Sequence, residues 1–116
     1  MASKKLKTKK ITINYEKGAL GAFFSRFGGS ERSDISSLRS LLTNEKARIL
    51  HVLRTKQPNS IYELAKTLGR DFKSVRQDIT LLEKFGFIEM IPIHKGKREK
   101  LKPLLVIDGL EIKMNL

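Results

Sequence analysis

Between Ser60 and Gly86 the chain carries helix start and stop signals at a spacing that leaves it little freedom. Ser60-Ile-Tyr-Glu63 has the Ser-x-x-Glu pattern of a capping box. There a hydroxyl accepts from a free backbone N–H at the helix start and the carboxylate reaches back. Leu64, Ala65 and Leu68 then fall on one helical face, and Gly69 supplies a left-handed stop. Asp71 follows as a second N-cap, with Ser74 in the first turn it would cap. The second helix runs to about Phe85 on a stripe of Val75, Ile79 and Leu82, flanked by Leu81 and Phe85, and Gly86 ends it. Two helices joined this closely by Gly69 and Arg70 must cross steeply, and Ala65 is small enough to let them approach.

The rest of the chain is read around that pair. Upstream, Ser33 or Asp34 caps a helix reaching about Leu42, with Ile35, Leu38, Leu41 and Leu42 at helical spacing. A further helix on Ala47, Ile49, Leu50, Val52 and Leu53 ends before Pro58, because Gln57 precedes a proline. Downstream, Phe87 to Ile93 reads as a strand, 94–100 as a polar basic turn, and Leu101 to Ile107 as a returning strand. Pro103 places that strand at an edge. Beyond Asp108-Gly109, Leu110, Ile112 and Met114 alternate with Glu111 and Lys113, which makes a last short strand. At the other end, residues 1–10 hold five lysines and read as a solvated tail, or as an arm following a nucleic-acid backbone. Ile11, Ile13 and Tyr15 alternate as one strand face, and Gly18 to Phe27 suggests a short helix stopped by Gly28 and Gly29. The expected fold class is therefore α+β: a three-helix core with a β-hairpin and short terminal strands. It divides into 1–32 (basic arm, strand and short helix), 33–107 (the helical core with its hairpin) and 108–116 (a C-terminal strand).

The chemistry of the chain narrows its function by exclusion. Cysteine is absent, which removes disulfides, thiol nucleophiles and Cys-based metal sites. The two histidines, His51 and His94, have no acidic partners at ligand spacing, so neither metal nor cofactor is expected. No nucleophile–base pair stands out, so the chain does not read as an enzyme. No apolar run approaches the roughly 20 residues of a membrane span. No signal-peptide core follows the basic start, so a cytoplasmic protein is expected.

What remains is charge and its placement. Lys and Arg number 24 against 12 Asp and Glu, for a net charge of +12, which favours polyanionic partners. In a helix-turn-helix the second helix presents its N-terminal half to the major groove. Here that half offers Lys73, Ser74, Arg76, Gln77 and Thr80. Arg76 has the fork for a guanine edge and Gln77 for an adenine edge, while Lys73 suits a phosphate. Asp78 breaks the basic face and is expected to pair with a neighbouring cation or lie to one side. Arg70, in the turn between the helices, is expected to be a further DNA contact, and Lys95, Lys97, Arg98 and Lys100 surround Gly96 in the hairpin. Such a hairpin can act as a wing on the backbone or in the minor groove. The apolar residues Phe23, Phe24, Phe27, Leu110, Ile112 and Met114 exceed the needs of a small helical core and are expected to form a dimer contact.

The run from Ser60 to Glu89 resembles the winged-helix core of MarR-like transcriptional regulators, closest to small archaeal and bacterial members classed as regulators or antitoxins. "ELAKTLGRD" matches the supporting helix and turn, "FKSVRQDITLLEKFGFIE" the recognition helix and its exit, and "VIDGLEIKM" the end of the small members. The resemblance implies a winged helix-turn-helix and a cytoplasmic, nucleoid-associated homodimer that binds double-stranded DNA. It puts DNA contacts on Lys73, Ser74, Arg76, Gln77 and Thr80, with Lys97 and Arg98 in the wing. Full-length members carry longer terminal helices that build a ligand pocket, and these short ends do not match them. The expected function is a sequence-specific DNA-binding regulator. The alternative is an antitoxin or protein-interaction module on the same scaffold, and RNA binding is disfavoured because no aromatic-rich sheet motif is present.

Overall fold

The computed structural model describes residues 6–28, 33–96 and 98–116; the side chains of Phe27 and Lys95 lie outside that set. The chain has an α+β fold. In order, the described residues form β1 (Lys7–Asn14), α1 (Ala19–Gly28), α2 (Asp34–Leu41), α3 (Asn44–Thr55), α4 (Ile61–Leu68), α5 (Phe72–Phe85), β2 (Ile88–Lys95), β3 (Arg98–Leu105) and β4 (Ile107–Asn115). Among the described residues no helix is long and apolar enough to cross a membrane.

The helices start and stop where side-chain chemistry requires. Ser33, Thr43, Ser60 and Asp71 each stand outside a helix in extended conformation and accept from the backbone N–H three residues on. Gly69 (φ 67°) and Gly86 (φ 93°) close α4 and α5 in the left-handed region, which an L side chain enters only at a cost. One apolar cluster draws on every element, from Ile11 and Ile13 of β1 through Ile49, Leu64, Val75 and Ile79 to Ile107 of β4. The three sequence segments therefore share one core.

Two small sheets frame the helices. β2 and β3 pair antiparallel from Ile88 with Leu105 to Lys95 with Arg98. The seven residues expected as a basic turn are thus mostly strand, with His94 opposite Glu99. A two-stranded ribbon exposed on both faces needs no apolar alternation, which is why 94–100 carries no strand signal. Pro103 lies opposite Met90 in this sheet, where every strand is an edge.

The second sheet pairs β1 with β4 in parallel, setting Ile11 beside Ile112 and Ile13 beside Met114. The expected tail is corrected from Lys7 onward by this pairing, while residues 1–5 lie outside the described residues. Lys7, Lys9 and Lys10 are strand residues, held by a partner about a hundred positions away that local sequence does not reveal. Tyr15 lies beyond the strand and is 72% exposed, so it does not share the buried face of Ile11 and Ile13.

Two of the three aromatics of the expected dimer contact are also corrected, while the side chain of Phe27 lies outside the described residues. Phe24 is buried and Phe23 packs edge-on against it at 5.6 Å. Phe23 meets Phe85 at 5.1 Å, and Phe85 meets Phe87 at 5.0 Å, so these rings tie α1 to the end of α5 within one subunit. Edge-to-face pairs of this kind add to simple burial.

Asp34 is not the cap of α2 but its fully buried first residue. Its carboxylate accepts from the backbone N–H of Asn14 at 2.8 Å and of Gly18 and Gly21 at 2.7 Å each. The end of β1, the loop after it and the start of α1 thus converge on one anion. Burial alone would push its pKa up. The N–H donors of Asn14, Gly21 and Gly18 overcome that and hold it below the ordinary 3.8. Gly18 is required here: a Cβ would collide with Asn14 Nδ2 and lie 2.5 Å from Asp34 Oδ2.

Candidate nucleic-acid interface

The turn between α4 and α5 is locked from three sides. The Gly69 N–H donates to Ala65 and Lys66 carbonyls, and the Arg70 N–H donates to Ala65 O at 3.1 Å. From α3, Arg48 Nη1 donates to Leu68 O at 3.2 Å and so satisfies a carbonyl at the C-terminal end of α4. Asp78 of α5 takes Arg70 Nη2 at 3.0 Å and Lys46 Nζ at 3.7 Å. The acidic residue that interrupts the basic face is therefore paired, as expected. Arg70 points into the fold: its side chain is only 23% exposed and its charge is engaged by Asp78. It fixes the angle of α5 rather than adding to the exposed cations.

With Val75, Ile79 and Leu82 buried, helical spacing sends Lys73, Arg76, Gln77 and Thr80 to the opposite, exposed face. Ser74 is half-buried beside them, its backbone N–H donating to the Asp71 carboxylate at 2.9 Å. The backbone and hydroxyl of Ser74 hold the Asp71 pKa below its ordinary value, so the cap stays ionised. The N-terminus of α5 is accordingly partly occupied by its own cap. Thr80 Oγ1 donates back to Arg76 O at 2.8 Å.

Arg76 of this face borders a cleft of about 480 Å³ between α5, the start of α4 and β3. Arg76 lines it from α5, Ser60, Ile61 and Tyr62 from α4, and Arg98 and Lys100 from the hairpin. Glu99 is the carboxylate in the lining. The structure thus brings Arg76, Arg98 and Lys100 together and places Lys73, Gln77 and Thr80 on the adjoining surface of α5. Lys95 is in β2 with its side chain undescribed, and Lys97 lies outside the described residues. Cations spaced along a cleft suit an extended chain of phosphates.

Sequence reasoning misses three apolar groups in this cleft: Tyr62 (64% exposed), Phe72 and Leu101. Tyr62 falls off the Leu64–Ala65–Leu68 stripe, and that is the available signal. Phe72 and Leu101 continue core stripes past the point where the core ends, so periodicity alone hides them. Among the described residues no group of His, Asp or Glu is arranged to hold a metal ion.

Comparison with curated proteins finds no match. A family model, HVO_A0114, matches residues 41–112, which takes in α3, α4, α5, the hairpin and most of β4. That span covers well over half of the chain, and the protein belongs to the HVO_A0114 family.

Proposed function

We propose that the protein is a sequence-specific, double-stranded DNA-binding transcription regulator built as a winged helix-turn-helix of the MarR-like kind. It acts in the cytoplasm on the nucleoid and works as a homodimer. In this reading α4 is the supporting helix, α5 enters the major groove, and the β2–β3 hairpin is the wing on the backbone or in the adjacent minor groove. One observation carries it: Arg76, on the exposed face it shares with Lys73, Gln77 and Thr80, lines the same cleft as Arg98 and Lys100. Base-reading groups and sequence-blind cations are thereby set side by side, which is the division of labour a specific site needs.

Selection of bound duplexes from a random library, followed by titration at two salt concentrations, tests this. Affinity should fall steeply as salt rises. With the selected site in hand, Arg76→Ala should relax preference at one or two base pairs by about 1–3 kcal/mol each while leaving non-specific affinity nearly unchanged. No selected consensus, together with salt-independent behaviour, would reject the reading.

A second reading, an antitoxin or other protein-interaction module, draws on Tyr62, Phe72 and Leu101, whose exposed apolar surfaces suit a peptide better than a phosphate chain. Salt-insensitive capture of a protein in place of duplex DNA would favour it.

A further inference from the structure

Among the described residues no further strand pairs with either edge of the β1–β4 sheet, and the two edges differ in charge. The β1 edge carries Lys7, Lys9 and Lys10 and no acid, and lysine on an edge strand resists pairing. The β4 edge carries Glu111 and Lys113, with Ile112 between them 41% exposed and Met114 beyond them 43% exposed. We propose that β4 is the dimer interface: it pairs antiparallel with β4 of a second copy, across a two-fold axis at Ile112.

Symmetry makes the register a test of the sequence. In an antiparallel pair about a two-fold axis, directly opposed residues share a face. Centring on Ile112 sets Glu111 against Lys113 of the second copy, and Lys113 against its Glu111. Leu110 then faces Met114, and Ile112 faces itself. Centring on Glu111 or on Lys113 opposes like charges instead. Centring on Leu110 or Met114 brings no opposite charges together. The apolar members share the face of Ile11 and Ile13, since Ile112 and Met114 are in register with them in β1. The paired sheet therefore runs β1-β4-β4-β1 with Ile11, Ile13, Leu110, Ile112 and Met114 on one face. This gives the proposed homodimer a geometry and stands apart from the duplex-binding assignment, because every measurement below omits nucleic acid.

Sedimentation of the full chain should show a dimer at micromolar concentration. Lys113→Glu alone and Glu111→Lys alone should each weaken self-association by about tenfold or more, since two attractive cross-strand pairs become repulsive. An equimolar mixture of the two variants should restore a dimer containing one of each. The chain has no cysteine. Ile112→Cys should therefore oxidise to a symmetric cross-linked dimer, while Thr12→Cys on β1 should not. A monomeric wild type, single variants that associate as well as wild type, a mixture that stays monomeric, or equal cross-linking at positions 12 and 112 would each overturn the proposal.

Discussion

Asp34→Ala is expected to lower stability by about 3–5 kcal/mol, because it removes the carboxylate on which three backbone donors converge. That is a large share of the 5–15 kcal/mol typical of a folded domain, at about that magnitude. Denaturant unfolding by circular dichroism measures it. Asp34→Asn should cost less. It keeps an oxygen for Gly18 and Gly21 but turns an amide N–H₂ toward the Asn14 N–H. The wild-type contribution also depends on pH in a defined direction. The folded pKa lies below the ordinary 3.8, so the stabilisation is complete above that value and is lost as pH falls through it toward the folded pKa. The difference between wild type and Asp34→Asn should therefore shrink below about pH 4. An unchanged difference down to pH 2 would show that the carboxylate charge plays no part.

The second large effect concerns binding. Lys73, Arg98 and Lys100 are exposed, and none is part of the core, so replacing all three with alanine should leave the melting temperature nearly unchanged. Duplex affinity near 0.1 M salt should fall by about a hundredfold or more, at about 1 kcal/mol for each charge-assisted hydrogen bond to phosphate that is removed. The slope of log affinity against log salt should flatten by about 0.9 for each phosphate no longer neutralised. All duplex sequences should be affected alike, in contrast to Arg76→Ala. A triple variant that alters sequence preference, or that binds as before, would remove the hairpin and Lys73 from the interface.

The contrast between these residues reflects what a sequence can carry. The caps at Ser60 and Asp71 and the stops at Gly69 and Gly86 are legible because each is satisfied within four residues of chain. The exposed face of α5 is legible for the same reason: once Val75, Ile79 and Leu82 are assigned to the core, helical geometry places Arg76 and Gln77. Of the two expected caps of α2, Ser33 is the one, and Asp34 is misplaced as the alternative because its partners, Asn14, Gly18 and Gly21, come from outside its own helix. Arg70 reads as free because nothing local shows that Asp78, two turns into the next helix, faces back toward it. The hairpin reads short because cations on a ribbon exposed on both faces leave no periodic trace. Tyr62 escapes notice because an exposed aromatic is unremarkable until a cleft forms around it.

The parallel pairing of β1 with β4 bears on how the chain reaches this fold. The Thr8 hydroxyl donates to Asp108 across a separation of 100 residues, whereas α4, α5 and the hairpin are built from near neighbours. Closing a loop of that length costs about 4 kcal/mol in chain entropy before any contact repays it. The helix pair can therefore form early, and the parallel sheet is the late step. Pulse-labelled hydrogen exchange during refolding should show the Ile79 amide protected before those of Ile11 and Ile13, and the reverse order would refute this sequence of events. During synthesis β1 emerges about a hundred residues before the strand it pairs with. Through that interval its lysines act as a guard, since an unpaired strand loaded with positive charge resists joining the strand of another incomplete chain.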